Sequence, residues 1–302
     1  MRAAFLHILL GICAACCAAP PPADAQAAPA AAAAAAQPGD TALRVCADPS
    51  DLPSSNDKGE GYENKIAAAL AHDLGRHVEY TFFPQRIGFI RNTLRSKDDQ
   101  TQQFKCDVII GVPKGYDLTL TTQPYLHSTY ALIFAARSDF DSLRNADDLL
   151  KLPPATLNKL RIGVFTRSPG VDWLLKHSLL DHAVAYSHQT GDVNESPGGV
   201  IARELGAHNI DAAIVWGPVA GMLLGQVPAG SQWHAVPFNP GSEFKFDYEM
   251  SMGVRFGEKD WKDTLDRWIS EHRKDIDAIL VSYRVPLVDA NGHVKQSQDG
   301  QL

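Results

Sequence analysis

Arg167-Ser168-Pro169-Gly170 is the string in this 302-residue chain with the plainest chemical use. Serine followed by proline marks a helix N-cap and first turn. Free N–H groups, the positive end of the helix dipole and a guanidinium then converge, which suits an anion. The same residues serve equally as an ordinary capped helix with a solvated arginine. Trp216 carries a broad apolar face and one N–H donor, fitted to stack on a ligand or to wedge between packed bodies. Arg86, next to Gln85, has two readings as well: a ligand contact, or an ion pair with an acid such as Asp48 or Asp117. Strings that announce catalysis do not occur. HExxH, Walker A and Gly-x-Ser-x-Gly are missing, and no CxxC follows the leader. Glu204 and His208 lie one helical turn apart, yet a lone pair of this kind is ordinarily solvated surface. The acidic loop from Asp48 to Glu63 lacks EF-hand spacing. Neither a cofactor nor a metal is indicated.

The elements that must position these residues follow an α/β rhythm. Leu43 to Ala47 reads as a strand, and Tyr62, Ile66, Leu70 and Leu74 recur as one helix face before the stop at Gly75. His77 to Phe83 is a second strand, Ile87, Ile90 and Leu94 mark a second helix, and Cys106 to Gly111 is a third strand. Thr129 to Ala136 is long and apolar enough to cross between lobes. The pattern restarts with a strand at Leu160 to Phe165, helices opening at Ser168-Pro169 and Ser196-Pro197, and a buried strand at Ile210 to Val215. Met250 to Phe256 and two amphipathic helices close the body. The predicted lobes are 41–135 plus 241–289, with 136–240 inserted between them and 290–302 as a polar tail. In open α/β sheets the strand C-termini and helix N-termini face the ligand crevice. That rule predicts a central cleft lined in the first lobe by Asp48, Gln85, Arg86, Pro113, Tyr116 and Asp117. Arg167, Ser168 and Trp216 line it from the second.

The N-terminus bears on compartment. Arg2 precedes the apolar stretch Phe5 to Ala19, too short to span a bilayer, and Ala23-Asp24-Ala25 offers a small-x-small cleavage site. Residues 1–25 are therefore an expected signal peptide, and 26–40 an Ala/Pro leader without the large side chains that offset ordering entropy. Cys13, Cys16 and Cys17 are weaker candidates for lipidation, since none combines Leu at −3 with a small residue at −1. The net charge of −7 and the lack of a basic block argue against nucleic acid. No second long apolar stretch follows the leader, so the mature chain is expected to be soluble, and a monomer is expected. Only Cys46 and Cys106 remain in it. An oxidising compartment favours one disulfide, but bridging needs Cα atoms within about 7 Å. A disulfide and a pair of buried thiols both stay open.

The arrangement resembles the bacterial periplasmic solute-binding proteins, whose type II fold has two lobes joined by two crossing strands. Leu43 to Asp48, Gly61 to Ala67, Cys106 to Gly111, Gln123-Pro124-Tyr125, Tyr130 to Ile133 and Ile210 to Val215 follow that family's order, over nearly the whole mature chain. Phe83-Pro84-Gln85-Arg86, Gly88 to Leu94, Gly111 to Asp117 and Leu120-Thr121-Thr122 look like a narrower branch. These are the solute-binding-like "J" proteins that accompany pyrroloquinoline-quinone (PQQ) methanol and alcohol dehydrogenases. The resemblance implies a periplasmic, non-catalytic accessory whose partner is such a dehydrogenase. Amino-acid-binding relatives hold the ligand carboxylate with an Arg shortly after the strand at 106–111; Val112 to Asp117 has none. They hold the ammonium with an Asp after the strand at 210–215, where Trp216-Gly217-Pro218 stands. A zwitterion would lose both partners, at several kcal/mol for each buried unpaired charge. The alternatives are a small-solute receptor of a membrane transporter and an enzyme on this fold, as in the periplasmic cyclohexadienyl dehydratases.

Overall fold

The computed structural model describes residues 41–187, 195–240 and 243–295. The expected signal peptide and leader, and residues 296–302 of the expected tail, lie outside the described residues. In chain order the first elements are β1 (Ala42–Ala47), the short pair β2 (Ser50–Asp51) and β3 (Ser55–Asn56), α1 (Tyr62–Asp73), β4 (His77–Phe82), α2 (Phe89–Asn92), β5 (Val108–Pro113) and β6 (Leu120–Ala135). There follow α3 (Pro154–Leu157), β7 (Ile162–Phe165), α4 (Pro169–Lys176), β8 (Ala183–Tyr186), α5 (Pro197–Gly206), β9 (Ala212–Trp216) and α6 (Gly217–Leu224). The chain ends with β10 (Trp233–Pro237), β11 (Asp247–Val254), α7 (Lys259–Glu271) and α8 (Arg273–Ser282).

A continuous sheet runs in the order β4-β1-β5-β11-β6-β9-β7-β8, with β10 also paired to β6. Its strands alternate period-two between two cores, as a sheet covered on both faces requires. Leu43, Val45, Val108 and Ile110 face the cluster under α1, α7 and α8, whereas Cys46, Ile109 and Val112 face the cluster under α2. In the second lobe Leu132, Phe134, Ala212 and Ile214 take one side, and Ala131, Ile133, Ala213 and Val215 the other. Ile66 and Leu70 of α1 are fully buried, each worth roughly 1.5–3 kcal/mol on removal from water. Gly75, at φ +65°, ends that helix.

β6 unites the lobes. From Leu120 to Thr129 it pairs with β11; from Tyr130 onward it pairs with β9 and β10. This is the two-lobed type II architecture. The crossing strand begins nine residues before the expected Thr129, because Leu120 to Ser128 lie opposite β11. Three local expectations are corrected. The third strand starts at Val108, after Asp107 N–H has bonded Arg44 O. The second helix starts at Phe89, so Ile87 is in the loop and 95% exposed instead of on a buried face. β11 begins at Asp247, ahead of Met250. Cys46 and Cys106 are joined in a disulfide with Cα atoms 5.5 Å apart, inside the cluster under α2.

Candidate functional site

The strand crossing gathers Tyr130, Trp216 and Tyr248 into an aromatic set. Tyr130, the first β6 residue paired with β9, stands 5.4 Å from Trp216 and 6.3 Å from Tyr248, ring centre to ring centre. Trp216 and Tyr248 are 6.0 Å apart, edge to face. The set arises from register: Tyr130 lies opposite Trp216, and Thr129 opposite Asp247. Burial, and after it the neighbouring Tyr248, push the Tyr130 phenol well above its ordinary value. Tyr248 is raised by burial and then by Asp247 and Asp172. Asp172 sits in the first turn of α4, so that helix start approaches the aromatic set.

The backbone beside it is held from several directions. Ser128 Oγ donates to Pro286 O at 2.7 Å, and Thr129 Oγ1 to Phe238 O at 3.1 Å. Gly217 allows α6 to close on this point. A Cβ there would stand 2.2 Å from Thr129 O and 2.4 Å from Pro286 Cγ, a collision no larger residue avoids. Trp216 is half-buried at this crossing, its ring packed against Tyr130 and Tyr248. Tyr130 and Tyr248 were not among the predicted site residues; Tyr130 pairs opposite Trp216 and Tyr248 opposite Ser128, a placement set by strand register.

The other predicted residues take different places. Asp48 is buried and already occupied: its carboxylate accepts Ser50 N–H at 2.8 Å and the backbone N–H of Gln85. It ties the loop after β1 to the loop after β4. Gln85 also donates from Nε2 to Gly111 O at 3.2 Å. Neither predicted ion pair of Arg86 forms; among the described residues its guanidinium has no carboxylate partner and is exposed. Pro113 and Asp117 are exposed at the turn after β5, and Pro113 O accepts Tyr116 N–H at 3.0 Å. Tyr116 packs on the cluster that holds the disulfide.

In the second lobe Arg167 takes φ +64° and is exposed, directly before Ser168 at the start of α4. Ser168 does not cap the helix with its side chain, contrary to expectation; its Oγ is buried and without a hydrogen-bond partner. Ser196 does cap its helix, accepting Gly199 N–H at 3.1 Å. Glu204 is bonded to Arg203 and Asn209 at the surface. Among the described residues no cluster of His, Cys, Asp or Glu has metal-binding geometry.

One feature escaped the sequence reading altogether. Glu63, in the first turn of α1, is buried, and its carboxyl lies where a Cβ on Gly111 would come within 2.0 Å. Burial raises its pKa to about 8, with Asp51 and Asp48 adding like charge. Asp51 is pushed to about 8 by burial and by Asp48, against a lowering hydrogen bond from Ser54. Three carboxyl groups thus share the ground behind the first-lobe loops.

No family model matches the chain. The periplasmic binding protein XoxJ from Methylobacterium extorquens AM1 is similar to it in structure. The TM-score is 0.64 at 32% identity, over 82% of this chain and 99% of that one. The chain belongs to the XoxJ family of periplasmic binding proteins. MxaJ from Methlophaga aminisulfidivorans MPT shares the fold with a TM-score of 0.66 at 24% identity, covering 82% of this chain and all of that one. The protein MoxJ of Paracoccus denitrificans is 25% identical over 265 residues, 83% of this chain and 91% of its own length.

Proposed function

We propose that this chain is a non-catalytic periplasmic accessory of a PQQ-dependent methanol or alcohol dehydrogenase, assisting its maturation or activation. The observation that carries this reading is membership of the XoxJ family over almost the full length of that relative. The site adds support by what occupies it. Lys114, the one base between Val112 and Asp117, is paired with Glu249 at 2.8 Å, and Trp216 is packed against tyrosines. No charged pair stands ready for an amino-acid zwitterion at either place. The carboxyl groups with shifted pKa values, Glu63 and Asp51, lie behind the loops without a positioned partner base, which argues for binding over catalysis.

The test is direct. Calorimetric titration of the mature protein with the purified dehydrogenase should give a saturable complex, and no heat of association would refute the reading. The standard amino acids should leave the melting temperature unchanged; a ligand at a hundredfold excess over its Kd would add about 2.7 kcal/mol. A second reading, a small-solute receptor, draws on Arg167 and the partnerless Ser168 Oγ at the start of α4. Stabilisation by phosphate or a small carboxylate, without binding to the dehydrogenase, would favour it.

A further inference from the structure

The loop and short helix after β4 carry an unusual surface. From Gln85 to Lys97 the chain has four basic residues, Arg86, Arg91, Arg95 and Lys97, and no acidic one, within a protein of net charge −7. All four are exposed. Among the described residues Arg86, Arg91 and Arg95 have no carboxylate partner, although ion pairs are plentiful elsewhere on the chain. Apolar side chains stand among them. Ile87 is 95% exposed, Phe256 58% and Leu118 41%.

Contacts link Arg95 to both Leu118 and Phe256. Arg95 Nη2 donates to Leu118 O at 2.7 Å, and its guanidinium lies 5.8 Å from the Phe256 ring centre. Gly88, between Ile87 and Phe89, lies beside Arg91: a Cβ there would be 3.5 Å from Arg91 Nη2. The disulfide and the buried Phe89, Ile90 and Leu94 form a rigid base beneath the segment. Three arginines without a carboxylate partner among the described residues, set among exposed hydrophobes, have the arginine-rich, partly apolar character of a protein-binding surface. The charge imbalance selects the partner's sign, because unlike fields steer association and like fields oppose it. Three scattered apolar side chains supply too little buried area for membrane anchoring.

We infer that Arg86, Ile87, Arg91, Arg95, Leu118 and Phe256 form a docking face for an acidic protein surface. The inference rests on the accessory reading above, and the dehydrogenase is the partner it names. The decisive experiment titrates the full mature chain against the purified PQQ-dependent dehydrogenase by calorimetry at two salt concentrations, with Arg86→Glu/Arg91→Glu and Ile87→Asp as variants. Neither arginine makes an ion pair among the described residues, and melting temperatures check that each variant is native. The expected result is a complex that weakens with salt, and at least a tenfold loss of affinity in both variants. Unchanged affinity in two folded variants overturns the docking face and leaves the accessory reading standing. Failure of the wild type to bind the dehydrogenase overturns both. Binding of the wild type to phosphatidylglycerol vesicles in place of the dehydrogenase assigns the face to a membrane and also overturns the inference.

Discussion

Replacing Glu63 by glutamine should flatten the pH dependence of stability. Glu63 is 8% exposed, and burial with two neighbouring carboxylates raises its pKa from the ordinary 4.5 to about 8. The folded state therefore holds a proton that the unfolded chain releases above its ordinary pKa. With a raised folded pKa the stabilisation is complete below pH 4.5 and is lost as pH rises through 8. One retained proton is worth about 1.4 kcal/mol per pH unit, which sets a ceiling of roughly 5 kcal/mol over that window. Asp51, itself raised to about 8 by burial, titrates in the same window, so part of the pH dependence persists without Glu63 and about 2 kcal/mol is the expectation. For a domain of this size that is about 4–8 °C in melting temperature. The assay is thermal unfolding of wild type and Glu63→Gln from pH 5 to pH 9, followed by circular dichroism. Wild type should lose about that much relative to the variant as pH rises. Two curves that stay parallel across the range would show that Glu63 titrates normally, and the argument from burial would fall.

Two further outcomes follow from the packing. Cys46→Ala/Cys106→Ala opens a loop of 60 residues and should lower stability by about 4 kcal/mol or less, read from denaturant midpoints; no change would mean that the bond constrains little. Trp216→Ala removes the half-buried member of the aromatic set at the crossing and should cost about 2–3 kcal/mol, below the 3–5 of a fully buried tryptophan. A loss under about 0.5 kcal/mol, the range of ordinary surface substitutions, would mean the ring does not hold the lobes.

The residues by themselves determined the alternation of strands and helices, because apolar side chains at period two or near four assign a segment wherever it later packs. Leu43 to Ala47, the α1 face of Ile66 and Leu70, and the strand at 210–215 were all legible in this way. The missing arginine at 112–117 and the missing aspartate after 210–215 were legible too, since an absent residue needs no coordinates. Tertiary structure decided the rest. The disulfide depended on the register of β1 against β5, which pairing alone sets. Trp216 packs against aromatic rings because β6 exchanges partners between Thr129 and Tyr130, placing two tyrosines beside it that lie 86 and 32 residues away in sequence. Asp48 was spent on a loop contact and Glu63 was buried against Gly111, results of how loops meet in space. Composition records that a carboxylate exists. Whether water, a backbone N–H or another carboxylate surrounds it is settled only when distant segments close over it.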